Sequence, residues 1–241
     1  MTLAESLLNS GSSGSTCVAA TNHGRVVEIS RRRLLASFAA VAPVLIAGPA
    51  LADAWHNIDV AGDVPPLAFT MTDATTGKPV TAADFRGKLV MLYLGYTMCP
   101  DVCPLTLQNV GVILKKLGPK ADDVRMLFVT VDPNRDTLPV LKRYTSVFAP
   151  QVVGLRGSAD QLAQLARRYR LAYSVSPASK THPYEVTHSS AIYVFDQDGR
   201  PQLLVPSLAT TKPDLAGTAD DLQRLLNRSQ PGWIARLSRM F

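Results

Sequence analysis

The stretch that decides the fold is residues 88–104, which read KLVMLYLGYTMCPDVCP. Its first part, residues 88–94, is apolar and bounded by glycines, which predicts a buried central strand. Next comes Cys99-Pro100-Asp101-Val102-Cys103-Pro104, where the strand meets a helix predicted over residues 104–117. The two cysteines are four positions apart, so we expect both sulfur atoms on one face of a first helical turn.

Two uses follow from a pair of thiols in this position. Unpaired backbone N–H groups and the macrodipole at a helix N-terminus lower the pKa of a cysteine, so we expect thiolates here. A pair of thiolates suits either a Cu(I) ion or a reversible disulfide. A structural disulfide is disfavoured, because closing so short a loop removes little entropy from the unfolded chain.

The remainder of the chain continues the alternation of strands and helices. We predict strands at residues 124–131, 152–155, 189–195 and 202–205, and helices that end at Tyr144, span residues 161–169 and span residues 218–228. This order predicts an α/β, thioredoxin-like sandwich with a central mixed sheet. A β-hairpin over residues 67–80 precedes the sheet, and an inserted hairpin or loop over residues 171–187 lies near the cysteines.

The first 54 residues read as a leader, and residues 55–241 as the folded domain. Residues 1–16 are rich in Ser and Gly and predict disorder. Three arginines, residues 31–33, then precede an uncharged apolar run over residues 34–52, a pattern typical of an export signal, including the twin-arginine type. Cleavage and retention as a membrane anchor both stay open, since the run is about as long as a short membrane-spanning helix. Either way we expect the domain in the periplasm or at the outer face of the cytoplasmic membrane.

Composition limits the partners and the redox state. The chain carries 25 Lys and Arg against 19 Asp and Glu, a net charge of +6, without a basic patch interleaved with aromatics, so nucleic acid is not an expected partner. Of three cysteines, Cys17 lies upstream of the export signal, which leaves Cys99 and Cys103 in the domain. In an oxidising compartment such a pair becomes a disulfide unless a reductant or a metal ion prevents it.

Three motifs together resemble one known family. GYTMCPDVCP (residues 95–104), VDPNRDT (131–137) and HSSAIY (188–193) occur in the order found in the Sco (SenC) copper-delivery proteins, which help to assemble cytochrome c oxidase. The resemblance covers residues 64–226 and implies a copper site made by Cys99, Cys103 and His188. Met98 and Thr187 depart from the family pattern, where histidine and aspartate are common, and the second change removes a negative charge beside the site.

The resemblance implies an exported metallochaperone rather than an enzyme. It would bind Cu(I), or Cu(II) with help from the imidazole, and pass the ion to the copper-centre subunit of cytochrome c oxidase. An upstream copper donor or a thiol reductant would act before it. The residues alone leave a rival open, a thiol-disulfide oxidoreductase or thioredoxin-like peroxidase with Cys99 and Cys103 as the redox pair. Their C-x-x-x-C spacing places the second thiol less well than C-x-x-C would.

Residues around the motifs receive supporting roles. We expect Met98 to pack against its surroundings, with a soft auxiliary ligand as the alternative. Asp132, Arg135 and Asp136 are expected to form a cap and a local charge pair that shape the loop at the site. His56 and His182 are expected to be exposed loop residues.

Overall fold

The structure, a computed structural model, describes residues 54–228, so most of the predicted leader and the tail from Ser229 onward lie outside the described residues. The described chain forms an eight-stranded mixed sheet, a separate two-stranded sheet and four α-helices. The strands are β1 (Ile58–Asp59), β2 (Thr70–Asp73), β3 (Pro79–Thr81), β4 (Leu89–Gly95), β5 (Val124–Thr130), β6 (Val152–Arg156), β7 (Tyr173–Ser176), β8 (Glu185–His188), β9 (Ile192–Phe195) and β10 (Pro201–Val205). The helices are α1 (Val102–Leu117), α2 (Leu138–Ser146), α3 (Ala159–Tyr169) and α4 (Leu215–Arg228), with 3-10 turns at Ala82–Phe85 and Gly118–Asp123.

Strand β4 is the centre of the large sheet. All seven of its residues are buried, which explains why its sequence is apolar without alternation. It pairs in parallel with β5 on one side and antiparallel with β9 on the other. The full order is β1-β10-β9-β4-β5-β6-β2-β3, so the predicted mixed sheet and its N-terminal hairpin, β2 with β3, are both confirmed.

The topology brings the three sequence motifs to one edge of the sheet. Because β4 and β5 are parallel, the cysteine loop and the loop at 131–137 both leave from the same carboxyl edge. Strand β9 runs in the opposite direction, so the segment before it, which includes His188, arrives at that edge as well. Motifs distant in the chain therefore meet because of the strand directions.

Several element boundaries differ from the sequence prediction. Helix α1 begins at Val102, with Asp101 at its N-cap, so Cys103 lies in the first turn while Cys99 precedes the helix. The two sulfur atoms thus approach each other from a loop and a helix, not from one helical turn. Pro104 is accommodated because the first turn of a helix does not use its N–H groups internally. Strand β1 was not predicted, since two exposed residues carry no periodic signal.

None of the helices between residues 54 and 228 has both the length and the apolar character needed to span a bilayer.

Candidate metal centre

Three side chains converge at the carboxyl edge of β4. Cys99 comes from the loop after β4, Cys103 from the first turn of α1, and His188 from the end of β8. Their two sulfurs and one ring nitrogen all lie within 4.8 Å of one another. Both thiols are free, Cys103 is fully buried and Cys99 is half-buried. The structure therefore brings together all three residues that the sequence proposes as ligands, in a group able to hold a metal ion.

The start of α1 contributes directly to the environment of Cys99. The backbone N–H of Cys103 donates to Sγ of Cys99 at 3.4 Å, and the N–H of Cys99 donates to the carbonyl oxygen of Tyr96 at 3.3 Å. A helix N-terminus presents such N–H groups to a neighbouring anion. Cys99 is accordingly the sulfur that receives the helix-terminal donor expected from the sequence.

Cys103 behaves differently from the sequence expectation of a thiolate. Burial raises the pKa of its thiol to about 12, and the nearby Cys99 acts in the same direction. The hydroxyl of Tyr93 donates to its sulfur at 3.8 Å, and Tyr93 is itself fully buried. In the metal-free protein Cys103 is therefore a neutral thiol at neutral pH, and a metal ion must displace its proton.

The orientation of His188 suits a ligand. Its Nδ1 lies 3.0 Å from the carbonyl oxygen of Ser189, which only accepts, so Nδ1 carries the proton. Nε2 then presents its lone pair towards Cys103, whose Sγ is 3.1 Å away. Burial lowers the pKa of His188, which keeps the ring neutral. The rings of Tyr93 and Tyr96 pack edge-on against it, with centroids 5.8 Å and 5.7 Å away.

A buried carboxylate holds the cysteine loop in place. Asp136 accepts hydrogen bonds from the backbone N–H of Thr97 at 3.0 Å and from its hydroxyl at 2.6 Å. It also accepts from the hydroxyl of Thr130, at the end of β5. The predicted charge pair is confirmed as Arg135 with Asp132, whereas Asp136 acts through these hydrogen bonds.

Met98 is not a packing residue. The residue is 62% exposed next to Cys99, so that prediction is wrong, because the turn that carries it lies at the surface of the domain. Thr187 is exposed, and its hydroxyl lies 2.8 Å from that of Ser174 on the paired strand. His56 and His182 are exposed as predicted, beside Asp214 and Ser179 respectively.

The roles of two residues at the site were not predicted from the sequence. Gly95 leaves room for the buried sulfur, since a Cβ atom there would lie 2.9 Å from Sγ of Cys103. Tyr184, ahead of β8, donates its hydroxyl proton to Asp132 at 2.8 Å. The spacing of Tyr184 and His188, four positions in an extended segment, is the signal that predicts a shared face.

An open cleft gives access to the group. It has a volume of about 440 Å³, and its walls include Pro100, Asp101, Ser207 and both Cys99 and His188. Cys103 lies beneath it. Two sulfurs and one imidazole nitrogen form a soft, low-coordinate donor set that suits Cu(I), whereas a structural zinc site normally has four ligands.

Comparison with known sequences identifies one family. A family model described as SCO1/SenC matches residues 66–226 of the chain. The Bos taurus protein named Protein SCO2 homolog, mitochondrial, is 45% identical over 125 residues, which are 51% of this chain and 47% of the bovine protein. The chain spans about half the length of the curated relatives that it matches first.

Solved structures agree with the fold. Copper-bound ScoI of Bradyrhizobium japonicum has a TM-score of 0.57 and 35% identity, over 68% of this chain and 98% of that one. Copper-bound Sco1 of yeast has a TM-score of 0.59 and 30% identity, over 70% of this chain and 92% of that one. These likenesses confirm the predicted thioredoxin-like α/β fold.

Proposed function

Because this chain belongs to the SCO1/SenC family, we propose that it is a copper metallochaperone that holds Cu(I) between Cys99, Cys103 and His188. The observation that carries the proposal is the convergence of these three donor atoms within 4.8 Å. The copper-bound ScoI and Sco1 structures support the choice of metal, as does the soft donor set. In this role copper is the cargo of the protein.

Delivery would proceed by ligand exchange through the open cleft. Cu(I) with two or three ligands accepts an incoming thiolate before it loses one of its own. Cys99 and His188 line the cleft, while Cys103 is fully buried below them. An acceptor would therefore replace Cys99 and His188 first, and Cys103 would be the last ligand to release the ion and recover its proton.

The client that the family implies is the copper-centre subunit of cytochrome c oxidase. An upstream copper donor, or a reductant that keeps both thiols free, would prepare the site, because the ion cannot bind a Cys99–Cys103 disulfide in the same way. Nucleic acid is not part of the proposed role. The net charge of +6 fits mild attraction to an acidic partner or to anionic headgroups.

Export from the cytoplasm is the second part of the proposal. Named relatives are mitochondrial, and the leader at residues 1–54 has the pattern of an export signal or anchor, which would place this domain in the periplasm or on the outer membrane face. Replacing Arg31, Arg32 and Arg33 by glutamine should leave the chain in the cytoplasm. Fractionation with unchanged export would contradict this, and the size of the mature band distinguishes a cleaved signal from an anchor.

The direct test of the copper site is a competition titration. The full chain, reduced without oxygen, is titrated with Cu(I) against a coloured chelator, beside Cys99→Ser, Cys103→Ser and the control Cys17→Ser. We expect tight binding for the unmodified chain and the control, and its loss in both site variants, because one thiolate and one imidazole form too small a donor set. Wild-type affinity in either site variant would contradict the shared site.

A thiol-disulfide oxidoreductase is the second candidate. The closeness of the two free thiols favours it. The raised pKa of Cys103, however, means that only a small fraction of this residue is in the nucleophilic thiolate form at neutral pH. A redox enzyme of this type also has no need of His188. Replacing His188 by alanine therefore separates the two functions.

A further inference from the structure

The hairpin that carries His188 stands apart from the main sheet. Strands β7 and β8 pair only with each other among the described strands. The cleft of about 440 Å³ borders β8 at Val186, Thr187 and His188. A second cavity, about 340 Å³, separates Tyr173 and Val175 of β7 from the loop at 132–134. Tyr173 and Val186 pack against the hydrophobic core, and the rest of the hairpin has open space beside both strands.

A polar cluster also joins the hairpin to the body of the domain. The hydroxyl of Tyr184 donates to Oδ1 of Asp132 at 2.8 Å, and Nε of Arg135 donates to the other oxygen of that carboxylate. The guanidinium carbon of Arg135 is 3.9 Å from the centre of the Tyr184 ring. Asp132 is only 1% exposed, and its bonds to the Tyr184 hydroxyl and the Arg135 guanidinium are charge-assisted.

The same arginine connects the cluster to the histidine. Its guanidinium carbon lies 5.9 Å from the centre of the Tyr96 ring, and that ring packs edge-on against His188. Tyr184 and His188 are four positions apart in an extended segment, so they share a face of it. Fixing Tyr184 therefore fixes the direction from which the imidazole approaches Cys103.

We propose that Tyr184 is a positioning residue, which latches the β7–β8 hairpin to Asp132 and Arg135 and so keeps Nε2 of His188 within ligand distance of the copper ion. This inference rests on the proposed function and adds to it. The latch and the cysteines stand on different elements, so the third ligand can leave with the hairpin while both sulfurs stay in place. Tyr184 thereby sets how readily the site changes from three ligands to two, the step that opens it to an acceptor.

The test removes one oxygen atom. Tyr184→Phe keeps the ring on Arg135 but loses the bond to Asp132, and Tyr173→Phe is the matched hydroxyl deletion on the facing strand. We expect Tyr184→Phe to weaken Cu(I) binding about tenfold, about 1.4 kcal/mol, chiefly by faster dissociation. In the metal-free chain, amide hydrogen exchange over residues 173–188 should accelerate several-fold. Tyr173→Phe should change neither quantity.

A double-mutant cycle with His188→Ala decides how Tyr184 acts. If Tyr184→Phe weakens copper binding in the unmodified chain but not in His188→Ala, the latch acts through the histidine as proposed. Equal weakening in both backgrounds would overturn the proposal, since Tyr184 would then act on the domain as a whole. Unchanged affinity in Tyr184→Phe alongside a weak His188→Ala would also overturn it, while the copper site itself would stand.

Different results would contradict the three-ligand site and the latch. If His188→Ala binds copper as tightly as the unmodified chain, the three-ligand site is wrong, and the latch has no ligand to position. If His188→Ala is weak and hydrogen exchange in Tyr184→Phe is unchanged over residues 173–188, the latch alone is wrong.

Discussion

Nε2 of His188 lies 3.1 Å from Sγ of Cys103, although 85 positions separate the two residues in the chain. The Nδ1 proton of His188 is donated to the carbonyl oxygen of Ser189, so the Nε2 lone pair can accept a hydrogen bond from the protonated Cys103 thiol. The metal-free site thus holds a proton at the point where a Cu(I) ion would bind. This arrangement makes binding sensitive to the imidazole and to pH.

Replacing His188 by alanine should weaken Cu(I) binding at least about tenfold, about 1.4 kcal/mol, because it removes the third ligand. The reduction potential of the Cys99–Cys103 pair should hardly change, and copper loading of the oxidase in cells should fall. His182→Ala, which removes an exposed histidine outside the cluster, is the control. Intact copper affinity together with lost disulfide-exchange activity would favour the oxidoreductase instead.

Copper binding should release the proton of Cys103. Because burial raises the pKa of this thiol to about 12, the thiol is protonated in the metal-free protein throughout the neutral range. The apparent Cu(I) affinity should therefore rise with pH, by up to about tenfold per pH unit for each proton released. Proton release into a weakly buffered solution measures it directly. Cys17→Ser should release as much as the unmodified chain, and Cys103→Ser should release almost nothing at the same copper concentration, because it no longer binds the ion tightly. A pH-independent affinity would be incompatible with a buried neutral thiol.

The stability of the metal-free domain should decline on both sides of neutral pH. The pKa of Cys103 is raised from 9.0 to about 12. Its contribution to the free energy of unfolding is therefore complete below pH 9 and is lost as the pH rises towards 12. The pKa of His188 is lowered from 6.5, so its contribution is complete above pH 6.5 and is lost as the pH falls below that value. Thermal unfolding across this range measures both effects. Cys103→Ala should reduce the loss of stability at alkaline pH, and His188→Gln should reduce the loss at acidic pH. Stability profiles that do not change in these variants would contradict the assignments.

Gly95→Ala should destabilise the domain and impair copper binding together. The added Cβ would lie 2.5 Å from the ring of Phe128 and 2.9 Å from Sγ of Cys103, so one of two buried groups must move. Overpacking of this kind costs about 1–3 kcal/mol. Gly111→Ala in α1 is the control, since its Cβ would meet only the carbonyl oxygen of Phe148 at 3.7 Å and should be neutral or stabilising. Denaturant unfolding with equal effects for both variants would show that Gly95 has no such role.

Asp136→Asn should loosen the cysteine loop. The carboxylate accepts from three donors on Thr97 and Thr130, and an amide would place its own NH₂ group among them. We expect a loss of about 1–3 kcal/mol in the free energy of unfolding, because a buried donor is left unpaired. Hydrogen exchange over residues 96–101 should accelerate, whereas the exposed Asp63→Asn should have no effect. An unaltered loop in Asp136→Asn would mean that other contacts hold Cys99.

Local sequence signals account for much of the fold. The apolar run that became β4 is readable because a strand buried on both faces needs no alternation. Helix α3 begins where Ser158 and Gln161 form a capping box, a signal contained in four consecutive residues. The cysteine pair is readable from its spacing, whereas His188 was predicted as a ligand from the family resemblance, and the structure brings the three together. Each of these inferences depends on neighbours in the chain.

Other properties of the site exist only in the folded protein. The pKa of Cys103 rises because the folded domain buries the thiol, which outweighs the helix N-terminus that the sequence indicated. The exposure of Met98 and the hydrogen bond from Tyr184 to Asp132, 52 positions away, also depend on the tertiary structure. Burial and long-range contacts are set by how distant segments pack against each other. The sequence by itself therefore determined which atoms can bind a metal ion, and only the tertiary structure decided their protonation, their access to solvent and what holds them in place.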